Sequence, residues 1–96
     1  MVVKLVEISE ELGAGSLRKY VLREVFVNPE HVICLRPDES ARRRLLENKL
    51  PSELDRRQEF TRIQMSSGQG GFNITVVGTP SVVEEKLRHS RKVLRG

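Results

Sequence analysis

The sequence predicts an α+β domain: a small curved antiparallel sheet of about five strands, one crossover helix and a C-terminal helix. Three observations predict it. Ser66-Ser67-Gly68-Gln69-Gly70-Gly71 separates two strand-like runs, Glu59–Met65 and Phe72–Val77, and so reads as the loop of a hairpin. Upstream, three runs rich in Val, Ile, Leu, Tyr and Phe are divided by a glycine loop and a proline turn. Downstream, Thr79-Pro80 is followed by Val83, Leu87 and Leu94 on one face of a helical pattern.

The elements follow in order. Val2–Ser9 is a first strand, with Val2, Val6 and Ile8 on one face and Val3 and Leu5 on the other. Leu12-Gly13-Ala14-Gly15-Ser16 is a turn, and Leu17–Val27 a second strand. Asn28-Pro29-Glu30-His31 reads as a type I turn, with Asn able to bond the backbone ahead and Pro already at the φ required. Val32–Arg36 is a third strand, stopped by Pro37. Asp38 is placed to N-cap a helix over residues 39–47, whose Ala41, Leu45 and Leu46 recur at helical spacing, and Asn48 to end it in a left-handed conformation. Leu50 and Leu54 then tack a short turn onto the core, so that residues 38–57 form a helical excursion between strands. The last helix spans residues 79–95, with Thr79 as N-cap and Pro80 at its first position. Its acids Glu84 and Glu85 lie early and its bases late, an order that complements the helix dipole.

At 96 residues the chain is one domain with a small core, since such a chain buries roughly two thirds of its unfolded surface. Apolar residues make up 38% and charged residues 31%, a balance that fits a soluble domain or one that completes its core against a copy of itself. No apolar run approaches the ~20 residues needed to cross a bilayer, so no membrane partner is expected. Glu7, Glu10 and Glu11 interrupt any signal-peptide core, and the expected compartment is the cytosol. The single cysteine, Cys34, excludes an internal disulfide; within Val32-Ile33-Cys34-Leu35 it reads as a buried, inert thiol. His31 and His89 have no metal-ligand spacing to it or to each other, so no metal and no cofactor is expected.

Catalytic patterns are missing where they would be sought. The glycine loop leads into a strand, whereas phosphate-binding loops follow a strand and open a helix, and no Lys-Ser or Lys-Thr follows it. The acid pairs Glu10-Glu11, Asp38-Glu39 and Glu84-Glu85 are adjacent in sequence, so their side chains diverge instead of sharing a pocket. No Gly-x-Ser-x-Gly elbow occurs. No catalytic residue is therefore nominated, and the chain reads as non-enzymatic.

The basic residues are the most informative set. The net charge is +4. Arg42, Arg43 and Arg44 occupy consecutive helical positions, about 100° apart, and so fan around the helix. Arg56 and Arg57 follow, and Arg88, Arg91, Lys92 and Arg95 crowd the end of the last helix. These nine are the candidate nucleic-acid contacts, of the phosphate-directed, salt-sensitive and sequence-blind kind. Tyr20, Phe26, Phe60 and Phe72 all lie on strands, which gives little support for base stacking.

The arrangement Val27-Asn28-Pro29-Glu30-His31-Val32-Ile33, then Thr61-Arg62-Ile63 with a glycine turn, then Ile74–Leu87 resembles small flagellar proteins of the FlbD type. Their pattern is an N-x-x-x-I strand entry, an I-x-L-x-x-G hairpin and a V-x-E-S start to a final helix. Short bacteriophage-encoded proteins of uncharacterised role are similar as well. The likeness covers about half of the chain, and its motifs are structural. The sequence departs from it by inserting residues 38–57 and by carrying Gly78-Thr79-Pro80-Ser81 in place of the acidic E-S. The resemblance carries over no site residue; it implies a sheet-plus-helix module that works by binding. The expected function is a basic binding module for nucleic acid or a nucleic-acid-handling complex, with an acidic protein surface as the other partner class, in the manner of a phage accessory factor. The second expectation is an assembly protein, a homo-oligomer joined through a sheet edge or the C-terminal helix.

Overall fold

The computed structural model describes residues 2–13, 15 and 17–95, with side chains described as far as His89. It contains five strands and two helices in the order β1 (Val3–Leu12), β2 (Arg18–Val27), β3 (Val32–Pro37), α1 (Glu39–Leu46), β4 (Phe60–Ser66), β5 (Gly71–Val77) and α2 (Pro80–Arg95). The strands form one antiparallel sheet in the order β2-β1-β5-β4-β3. α1 sits in the connection between the neighbouring strands β3 and β4.

The passage from one sheet edge to the other is made by residues 28–31. A flat sheet would separate β2 from β3 by four strand spacings, about 19 Å. The link from Val27 to Val32 includes a 3-10 turn at Pro29–His31 and is too short for that. The sheet therefore curls, bringing the end of β2 towards the start of β3 without closing into a barrel. Asn28 builds this corner: its Oδ1 accepts from the Glu30 N–H at 3.0 Å, and its carbonyl accepts from the His31 N–H.

Strand alternation gives the sheet two faces. On one, α2 lays Val83 and Leu87 over Leu5, Val27, Ile63, Met65 and Val76, all buried. Thr61 lies on this face too, and its hydroxyl donates to the Gly78 carbonyl at 2.8 Å. On the other, α1 and the turn after it bury Ala41, Leu45 and Leu50 with Phe60, flanked by Ile8, Tyr20, Leu54 and Val77. Leu46, at helical spacing with Leu45 in the sequence, points outward and is 47% exposed, because eight residues give α1 one narrow apolar side.

Several caps form where expected. The Asp38 carboxylate accepts from the Ala41 N–H at 3.0 Å, Asn48 ends α1 at φ 61°, and the Thr79 hydroxyl accepts from the Val82 N–H at 3.2 Å. The glycine loop is an ordinary hairpin connection, closed by Ser67 N–H to the Gly70 carbonyl at 2.8 Å, with Gly68 at φ 79°. Cys34 departs from expectation. A register shift between Val32 and Cys34 breaks the alternation, so Ile33 is 57% exposed and Cys34 emerges half-buried on the α1 face. Leu94 lies outside the residues whose side chains are described.

Candidate anion-binding cleft

The arginines of the excursion mostly turn inward. Arg42 donates from Nη1 to the carbonyls of Arg56 and Gln58. Arg44 reaches Ser40 Oγ at 3.2 Å and lies over the Tyr20 ring, 5.3 Å from its centre. Arg56 donates to Asn48 Oδ1 at 2.8 Å and to the Leu46 carbonyl at 3.3 Å. Arg42 and Arg56 hold residues 46–58 against α1, and Arg44 ties α1 to β2, so these three guanidiniums bond within the fold. Two more are paired with carboxylates. Arg57 grips Asp55 through Nε and Nη2, both at 3.2 Å, and Arg88 lies 2.6 Å from Glu85 and 3.6 Å from Glu84. The Asp55 carboxyl is held below its ordinary pKa by those bonds from Arg57. Arg43 is exposed on the outer side of α1, as the fan of consecutive positions requires. The side chains of Arg91, Lys92 and Arg95 lie outside the described residues.

A different pair of arginines comes together on the α1 face, beside Asp38 at the start of α1. Arg36 on β3 stands directly opposite Arg62 on β4, and Cys34 opposite Gln64. With Asn73 of β5, which faces Gln64, they line a polar cleft of about 190 Å3. The sequence gives little sign of it, since these residues lie on three strands and meet only through the register.

The electrostatics of the cleft are uneven. Like charges directly opposite on a sheet repel. Arg62 is partly compensated, its Nε lying 3.6 Å from Asp38 Oδ2. Asp38 is itself heavily used. Besides capping α1 it accepts from Ser40 Oγ at 3.1 Å and from Thr75 Oγ1 at 2.6 Å. Burial pushes the Asp38 carboxyl up, but the bonds from Thr75, Ala41 and Ser40 and the Arg62 charge outweigh it, and its pKa lies below the ordinary value. The Arg36 guanidinium makes no hydrogen bond or ion pair among the described residues. Two guanidiniums against one carboxylate leave the cleft positive. Cys34 Sγ donates to Gln64 Oε1 at 3.2 Å, which leaves the Gln64 amide nitrogen to donate elsewhere. The cleft thus presents two guanidiniums and side-chain amides to solvent, a donor set suited to an oxyanion.

A larger groove of about 560 Å3 runs between the start of β1 and α2, lined by Val2, Val3, Lys4, Glu85, Lys86 and His89. Among the described residues no group of three or more His, Cys, Asp or Glu could hold a metal ion, and no helix is long and apolar enough to cross a membrane. Compared with protein-family models, with curated proteins and with solved structures, the chain matches none.

Proposed function

We propose that this chain is a non-enzymatic binding module for nucleic acid that contacts phosphate through the Arg36–Arg62 cleft. The observation that carries the reading is Arg36. It stands exposed, opposite a second arginine, and its guanidinium has no partner of its own among the described residues. A phosphate seated between the two guanidiniums would relieve their repulsion and accept their N–H groups. The size of the cleft supports the same reading, since about 190 Å3 admits a phosphate group and falls below the 300–1,000 Å3 typical of pockets that enclose a small-molecule substrate. The net charge of +4 favours approach to a polyanion. The interface proposed here therefore shifts from the excursion, where Arg42, Arg44, Arg56 and Arg57 bond within the chain, to the strand arginines, which face solvent.

The test is fluorescence anisotropy with labelled duplex DNA, duplex RNA and single strands, on the native chain and on Arg36→Gln and Arg62→Gln. The expected result is low-salt binding with no strong sequence preference, weakened by both substitutions. Failure to bind every probe, or binding indifferent to both substitutions, would reject the reading.

A further inference from the structure

β2 is an edge strand of ten residues. It pairs with β1 in unbroken register from Arg18↔Leu12 to Val27↔Val3, with no bulge and no proline. Such an edge presents a row of unpaired peptide groups, and natural proteins usually blunt it. The other edge, β3, is blunted by a register shift after Val32 and by Pro37 at its end. β2 carries only charges as protection, and two of these are neutralised by β1: Arg18 lies 3.1 Å from Glu10, and Glu24 3.3 Å from Lys4. Phe26, near its end, is 62% exposed.

We propose that β2 pairs with β2 of a second copy, antiparallel, about a two-fold axis beside Leu22. This goes beyond the nucleic-acid reading and does not depend on it. Two copies joined edge to edge in this way are related by an axis normal to the sheet. Each face stays on its own side, so only residues of the same face oppose one another and the axis must pass beside a single residue. Four axes engage seven or more of the ten strand residues. An axis at Val21 sets Lys19 against the partner's Arg23. An axis at Arg23 sets that residue against its own copy, and an axis at Glu24 does the same for the acid. Like charges directly opposite are destabilising, which disfavours the axes at Arg23 and Glu24. The Val21 axis offsets its repulsion by setting Arg18 against the partner's Glu24, but both are already paired with β1, and it engages seven residues against the nine engaged at Leu22. The axis at Leu22 engages residues 18–26 and opposes no like charges. Leu22 meets its own copy, Val21 meets Arg23, Lys19 meets Val25, Tyr20 meets Glu24, and Arg18 meets the aromatic Phe26. The charges on β2 and the length of strand engaged therefore act together as a register selector, disfavouring the competing alignments.

The test has three arms on the full chain. Sedimentation equilibrium over a wide concentration range should give a monomer–dimer equilibrium. In a Cys34→Ser background, Leu22→Cys should form an intermolecular disulfide under mild oxidation, because the opposed Cα atoms fall within disulfide range. Glu24→Cys should not, because the register offsets the two copies of that residue by four positions, about 13 Å. Val21→Glu should tighten the dimer and Val21→Arg weaken it, each facing Arg23 of the other copy, with dissociation constants separated by about tenfold. The two Val21 variants share the same loss of apolar packing, so their difference reads the pairing and not the fold. A chain that stays monomeric at all concentrations would overturn the proposal. So would equal cross-linking at positions 22 and 24, or Val21 variants that do not separate.

Discussion

Replacing Asp38 with alanine probes the point where the two halves of the α1 face are joined. Four interactions go with the carboxylate, and three of them, those to Ala41, Thr75 and Arg62, set most of the cost. The N-cap to Ala41 contributes about 1 kcal/mol. The bond from Thr75 Oγ1, at 2.6 Å, is charge-assisted and part-buried, and contributes about 2 kcal/mol. The Arg62 contact, at 3.6 Å with a half-exposed guanidinium, adds less than about 1 kcal/mol. Together Asp38→Ala should cost about 3 kcal/mol, which for a chain of this size lowers Tm by about 12–24 °C. Asp38→Asn keeps a capping oxygen and loses the charge, and should cost about 1 kcal/mol. Urea and thermal melts at neutral pH measure both. The pH dependence has a definite sign. A carboxyl whose folded pKa is depressed stabilises the fold above its unfolded pKa, about 3.9, and that contribution disappears as pH falls through the lower folded value. The stability gap between the native chain and Asp38→Asn should therefore narrow with acidification below about pH 4. An Asp38→Ala chain that melts within about 2 °C of the native one would refute the reasoning, as would a gap that widens in acid.

Further outcomes follow from the packing. Leu87→Ala should cost about 2–5 kcal/mol in a urea melt, because Leu87 is buried in the cluster under α2, and an unchanged midpoint would place α2 off the sheet. Arg42→Ala should lower stability by about 2 kcal/mol while leaving nucleic-acid affinity nearly unchanged, since its guanidinium bonds the carbonyls of Arg56 and Gln58; a large affinity loss in a stable variant would return Arg42 to the interface. Cys34 should titrate with a small thiol reagent in the native fold, because it lines the open cleft, and protection equal to that of a core thiol would contradict its position.

Most of the element order is legible in the sequence because each boundary has a local chemical signal. Asn28-Pro29, Pro37-Asp38, Asn48, the Gly68 loop and Thr79-Pro80 each sit where the chain turns or a helix is capped. The arginine cleft is not legible, for a physical reason. Arg36, Arg62 and Asn73 are brought together by strand pairing, and pairing register depends on the whole sheet. The excursion arginines show the opposite limit. Arg42, Arg43 and Arg44 read as one basic run, yet two of the three are drawn inward, Arg42 by carbonyls beyond the helix and Arg44 by a ring on β2 and a serine one turn back. Cys34 shows a third: a single register shift moves an apolar-looking run to the other face, and no residue type announces it.

The most direct test of the proposed function is the salt dependence of duplex DNA binding by the native chain and by Arg36→Gln. Arg36 is the suitable position, because no intramolecular partner among the described residues is lost with it. A plot of log affinity against log salt should be linear, and Arg36→Gln should flatten its slope by about 0.9, the value for one phosphate released from neutralisation. The melting temperature should not fall, because the substitution removes only the repulsion with Arg62. A slope identical in the two proteins, or the absence of binding at low salt, would contradict phosphate recognition by this cleft.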